Sequence, residues 1–142
     1  MALSLSPDIA SDYAIEAATL VNRRGCKQLL EQSHAAIDTV AMAIDRARRP
    51  CSGASPSELR PAVDRVCLDG PGIGFSEALA ELGPLYLDPA IYFHHPRYVA
   101  HLNCPVLTSA AAAEMVAATI NTSMDTWDQS AGATLIEQKV IA

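Results

Sequence analysis

Basic residues are scarce in this chain: ten Lys and Arg stand against sixteen Asp and Glu, giving a net charge of −6 and a pI near 5.0. A general nucleic-acid surface needs clustered cations to neutralise phosphates, and that class is excluded. The densest basic group, Arg46, Arg48 and Arg49, fits a helix C-terminus instead, where cations oppose the dipole. Long apolar runs are missing too. The longest, "AAAAEMVAATI", is broken by Glu114 and is too short for a membrane span. Paired cysteines are absent: Cys26, Cys51, Cys67 and Cys104 lie far apart with no C-x-x-C. The opening "MALSLSPDIASDYAIEAA" has no basic n-region, so reduced thiols in a cytoplasmic protein are expected. No run rich in β-branched residues marks a strand.

What remains is helical. The 142 residues, half of them hydrophobic, amount to about one domain. From Asp8 to about Arg49, apolar residues recur at helical spacing, through Ile15 and Leu20 to Leu29, Leu30, Ile37, Val40, Ala41 and Ile44. Asp8 or Ser11 can cap this run, Gly25 can divide it, and Pro50 closes it. "CSGASPSELRPAVDRVCLDGP" predicts a loop with one helical turn after Ser55, where Pro56 suits the first position and Glu58 completes a capping box. "FSEALAELGPLYLDPAIYF" predicts a short helix, a break at Gly83-Pro84 and a second short segment. "PVLTSAAAAEMVAATIN" is a small-residue helix suited to burial between close neighbours, "TSMDTWDQS" a loop, and "AGATLIEQKVIA" a last helix. That helix carries no stop signal, so it either docks on the core or continues beyond Ala142.

The chemistry-bearing stretch is "FHHPRYVAHLNCPV", Phe93–Val106. His94, His95, His101 and Cys104 are of the right types for zinc. Their spacing, H-H-x5-H-x2-C, matches no usual zinc framework, and neighbouring histidines in an extended segment point apart. Cys104 activated by His101 is a second option, but three residues of separation allow contact only in a turn. "DGPGIGFSEA" has glycines before a helix yet lacks the strand and Lys-Ser/Thr of a phosphate loop, so a flexible loop is expected. Trp127 predicts a core anchor.

Residues from about Tyr86 onward add a resemblance. "HPRY" followed by "AHLNCP", and then "NTSMDTWDQSAGATLIEQKVI", resemble the N-terminal part of group II pyridoxal-phosphate-dependent (PLP) decarboxylases. The likeness is strongest to the bacterial diamino-acid branch, which includes the 2,4-diaminobutyrate enzymes and the lysine decarboxylases of siderophore pathways. It is strong over some 55 residues and loose over the first 85. It implies a helical dimerisation segment at 1–85 and, at 86–142, the start of a fold type I α/β PLP domain, cut off before its cofactor-holding part.

The resemblance also implies roles. His101, Asn103 and Cys104 would wall the substrate pocket, with Leu102 supplying main chain. Glutamate relatives carry glutamine, and aromatic relatives tyrosine, at the position of His101. Asp125 stands where those relatives have phenylalanine, on a loop that reaches across the dimer, and could pair with the distal ammonium of a diamino acid. The alternative for Asp125 is a loop cap that binds backbone N–H groups.

The family's PLP-binding lysine lies in an H-x-x-K-type motif. Lys27 and Lys139 are the only lysines here, and neither lies in one. No catalytic, cofactor-binding or metal-binding residue is therefore expected in this chain. Implied partners are a homodimer with interleaved N-terminal helices and a small amino-acid substrate, with no nucleic acid and no membrane. The rival reading is a non-catalytic helical module that kept the dimerisation surface.

Overall fold

The structure is a computed structural model that describes residues 19–99 and 102–142. Among these residues there are six helices and no strand: α1 (Cys26–Arg46), α2 (Pro56–Val63), α3 (Phe75–Leu87), α4 (Thr108–Ile120), α5 (Trp127–Ser130) and α6 (Gly132–Ile141). None is long and apolar enough to cross a membrane. Contacts divide the chain into a unit ending at Pro105 and a second unit, Val106–Ala142. Residues 86–99 and 102–105 accordingly belong to the first.

In the first unit, α1 begins where Gly25 divides the expected helical run. Asn22 Oδ1 accepts the N–H groups of Arg24 (2.8 Å) and Gly25 (3.1 Å), and Gly25 then serves as N-cap. The helix expected from Asp8 to residue 18 lies outside the described residues. At its other end α1 stops at Arg46, short of Pro50, and the Arg46 Nε–H returns 3.2 Å to the Met42 carbonyl. The basic group thus does mark a C-terminus, with Arg48 and Arg49 just beyond it.

Two faces of α1 differ in kind. Gln32, Ala36, Thr39 and Ala43 follow helical spacing, are small or polar, and range from half-buried to buried. Leu30, Ile37 and Ile44 repeat every seven residues on another face and stay exposed. It is the small face that meets α3. A Cβ added at Gly83 would lie 3.5 Å from Thr39 Cγ2, an ordinary van der Waals contact, so the two helices pack directly against each other here.

This contact explains a correction. Gly83-Pro84 does not break the chain; α3 runs through it from Phe75 to Leu87. Pro84 forfeits one intrahelical bond, but its carbonyl still receives the Asp88 N–H at 3.0 Å, and packing on α1 holds the segment helical. Gly74 (φ +81°) starts α3 in a conformation that other residues avoid.

α2 is also longer than the single turn expected. Its capping box is complete: Ser55 Oγ accepts the Glu58 N–H (3.4 Å), while Glu58 Oε2 accepts the Ser55 N–H (2.8 Å) and hydroxyl (2.7 Å). These bonds, led by the backbone N–H, lower the Glu58 pKa from its ordinary value.

In the second unit, α4 ends at Asn121, whose left-handed backbone (φ 53°, ψ 43°) is a common helix stop. The expected loop 122–130 is partly helical, because α5 forms within it. Ala131 (φ 34°) separates α5 from α6, and the buried Ser130 hydroxyl bonds to that of Thr134. Two expectations of burial fail here. Trp127 is 59% exposed rather than a core anchor, and α4 buries none of its residues. The cause is common to the chain. Ala43, 5% exposed, is the one buried hydrophobic residue among those described, whereas Leu30, Leu68, Val99, Leu102 and Val140 all face solvent. Among the described residues nothing covers them.

Two outcomes follow for solution work. Exposed apolar surface on this scale should drive association. The 142-residue chain should elute as a concentration-dependent oligomer that binds a hydrophobic dye, and a concentration-independent monomer with a sharp cooperative melt would contradict this. For α2, the lowered Glu58 pKa means that the cap is fully formed above the ordinary glutamate value and is lost as pH falls through the depressed one. Acidification should therefore move the Cα chemical shifts of 56–63 towards coil. Ser55→Ala should lose about 1 kcal/mol of local helix stability and flatten that pH response.

Candidate functional site

Pro50, four residues past the end of α1, is where the functional loop is first anchored. Its carbonyl accepts the Tyr92 N–H at 2.7 Å. The Tyr92 hydroxyl donates to the Leu87 carbonyl at 2.9 Å, so this residue is tied both to the end of α3 and to the tail of α1. Its phenol is raised above its usual pKa, first by burial and then by Asp88, with Arg46 opposing.

The next residues are not extended, contrary to the assumption behind the zinc argument. Two successive turns are closed by His95 N–H to Tyr92 O (3.1 Å) and Tyr98 N–H to His95 O (2.9 Å). Pro96 takes the second position of the latter turn, which its fixed φ suits. His95 Nδ1 accepts the Arg97 N–H at 3.2 Å. Phe93 and Tyr98 stack edge to face at 5.2 Å, as do Tyr92 and His94 at 5.7 Å. Arg97 Nη2 donates 2.7 Å to the Arg48 carbonyl. The Tyr98 hydroxyl is buried without a hydrogen-bond partner among the described residues.

This geometry makes the loop a rigid support. No three of His, Cys, Asp and Glu converge to hold a metal among the described residues. Beside the loop, a cavity of about 300 Å³ is lined by Arg46, Arg48, Arg49, Cys51, Asp88 and Tyr92, among others.

The candidate site residues fall in both units. Asn103 and Cys104 follow the loop at the end of the first unit, and both are exposed. His101 lies outside the described residues. Asp125, in the second unit, is exposed just before α5. Its Oδ2 accepts the Ser123 hydroxyl at 3.2 Å, and the Ser123 oxygen accepts the Asp125 N–H at 3.3 Å. Local loop bonding of this kind is compatible with either reading of Asp125. Sequence reasoning missed the two ties to 48–50, since nothing in a local motif announces a partner some fifty residues away.

The described residues do not suit covalent PLP binding. Lys27 is paired with Glu31 (3.6 Å) and is 87% exposed, and Lys139 sits exposed in the last turn of α6. Neither is enclosed beside a carboxylate that could serve the pyridine nitrogen.

No family model matches the sequence. Individual relatives do. Over 108 residues the chain is 43% identical to an L-2,4-diaminobutyrate decarboxylase of Rhizobium meliloti (strain 1021), a match covering 75% of this chain and 22% of that protein. A second L-2,4-diaminobutyrate decarboxylase, from Acinetobacter baumannii, is 36% identical over 90 residues, covering 63% and 18%. This chain is homologous to the L-2,4-diaminobutyrate decarboxylases.

Among solved structures, the glutamate decarboxylase domain of a diaminobutyrate-pyruvate transaminase and L-2,4-diaminobutyrate decarboxylase from Vibrio parahaemolyticus superposes with a TM-score of 0.69 at 34% identity. That match covers 80% of this chain and 24% of the other. The chain thus spans about a fifth of the length of the curated relatives it matches. The group II resemblance drawn from "HPRY", "AHLNCP" and "NTSMDTW" agrees with this homology.

The 142-residue chain should not take up PLP covalently. After incubation with PLP, dialysis to remove free cofactor, and then borohydride, no stoichiometric cofactor adduct should be found on Lys27 or Lys139 by mass spectrometry. A stoichiometric adduct on either lysine would contradict the geometry.

Proposed function

We propose that this chain is part of a PLP-dependent carboxy-lyase acting on a diamino acid such as 2,4-diaminobutyrate or lysine, in polyamine or siderophore biosynthesis. The 43% identity over 108 residues to a protein of that activity carries the reading. Pyridoxal phosphate supplies the electron sink for loss of the carboxylate, and residues outside this chain hold it. What this chain contributes is shape and charge. His101, Asn103 and Cys104 line one side of the substrate pocket, with an imidazole and an amide available to hydrogen-bond the bound substrate. Asp125 offers a carboxylate to the substrate's distal ammonium, through the oxygen that Ser123 does not engage.

In the assembled enzyme, the reading continues, the exposed stripe Leu30–Ile37–Ile44 is covered in a cytoplasmic homodimer by the helices of a second subunit. Support for this comes from the stripe itself. A seven-residue apolar repeat suits another helix lying alongside, and among the described residues none covers it. The same homodimer would let the Asp125 loop serve the pocket of the neighbouring subunit.

The test is made at Asp125 in the complete polypeptide. Asp125→Asn should lower kcat/KM for 2,4-diaminobutyrate by roughly ten- to a thousandfold, the range of a desolvated charge-assisted contact. Turnover of an analogue without the distal amine should fall much less, because no cation is then left unpaired. Equal losses on both substrates together with a lower Tm would make Asp125 a loop cap held by Ser123.

A further inference from the structure

The loop that leads to Asn103 and Cys104 is held from outside itself, and one side chain does much of the holding. Arg97 Nη2 bonds to the Arg48 carbonyl at 2.7 Å, across a separation of 49 residues. Its own N–H rests on His95 Nδ1 at 3.2 Å. Arg97 is therefore fixed at its base by the His95–Tyr98 turn and at its tip by the tail of α1. The Tyr92–Pro50 bond, also 2.7 Å, makes a second anchor close by. Two anchors on the short segment 48–50 restrain the loop more than either alone, because one bond would leave it free to swing. A charged donor also makes a stronger bond to a carbonyl than a neutral one does, and the planar guanidinium loses little freedom in forming it.

We propose that Arg97 is a positioning residue. It sets the spacing between the tail of α1 and the loop 92–99, the stretch that precedes Asn103 and Cys104 in the sequence. The inference rests on the reading of 101–104 as a pocket wall. Arg97 needs no contact with substrate to act in this way. The bond engages the main chain of residue 48, so the Arg48 side chain is idle in it.

The experiment uses the complete polypeptide loaded with PLP, and compares wild type with Arg97→Ala, Arg97→Lys and Arg48→Ala. Decarboxylation of L-2,4-diaminobutyrate gives KM and kcat, and hydrogen–deuterium exchange follows residues 92–99. Arg97→Ala should lower kcat/KM about tenfold, mostly through KM, with PLP content unchanged and faster exchange at 92–99. Arg97→Lys should recover part of both effects, since an ammonium can still donate to the carbonyl. Arg48→Ala should match wild type in every respect.

Wild-type kinetics and exchange in Arg97→Ala would overturn the proposal. So would an Arg48→Ala defect equal to that of Arg97→Ala, which would point to the charge of the patch. A uniform loss in Arg97→Ala that Arg97→Lys does not recover, with a lower Tm, would overturn it as well, leaving only a structural role. If wild type does not act on diaminobutyrate, the substrate reading fails, and the exchange comparison alone then decides whether Arg97 holds the loop.

Discussion

The approach of α3 to α1 at Gly83 and Thr39 is the contact on which the order of the first unit depends. It carries α3 helical through a proline. It sets the direction in which the chain leaves Leu87, and so brings Tyr92 within reach of both the Leu87 and the Pro50 carbonyls. From there two turns and one arginine hold residues 92–98. Alanine fits at position 83, its Cβ meeting Thr39 Cγ2 at ordinary van der Waals distance (3.5 Å), whereas a side chain extending further would crowd Thr39 and Leu79. The second unit has no comparable tie; its order comes from helix ends, with Asn121 stopping α4 and Ser130 joined to Thr134 across the bend at Ala131.

The helical class was legible in the sequence, because the 3.6-residue period and the cap residues are local signals. Gly25 and Ser55-Pro56-x-Glu58 mark starts that the structure confirms. Misreadings arose where tertiary contact outweighs local preference. Gly83-Pro84 reads as a stop by propensity, yet the glycine there serves a helix crossing. Trp127 and the alanines of α4 read as buried because burial is their usual fate, but the surfaces that would cover them are not among these residues.

The candidate site was reached in a different way. Its residue types, His101, Asn103, Cys104 and Asp125, were named from a resemblance spread over many positions, and homology to the diaminobutyrate decarboxylases agrees with that resemblance. Physical reasoning on the same loop gave only options, namely metal, nucleophile or wall. The turns at His95 and Tyr98 remove the extended geometry behind the metal argument but do not choose a substrate. The long-range ties through Arg97 and Tyr92 were invisible, since hydrogen bonds to carbonyls leave no mark on the partner's residue type.

The unequal faces of α1 bear on how such a segment can be handled. Its small face is committed to α3, whereas Leu30, Ile37 and Ile44 take no part in that crossing. Polar replacements at those three positions would change solubility without touching the helix pair, and exposed helix sites accept Gln or Lys at little cost in propensity. The loop and its arginine anchor could then be studied in a piece of the protein with less exposed apolar surface.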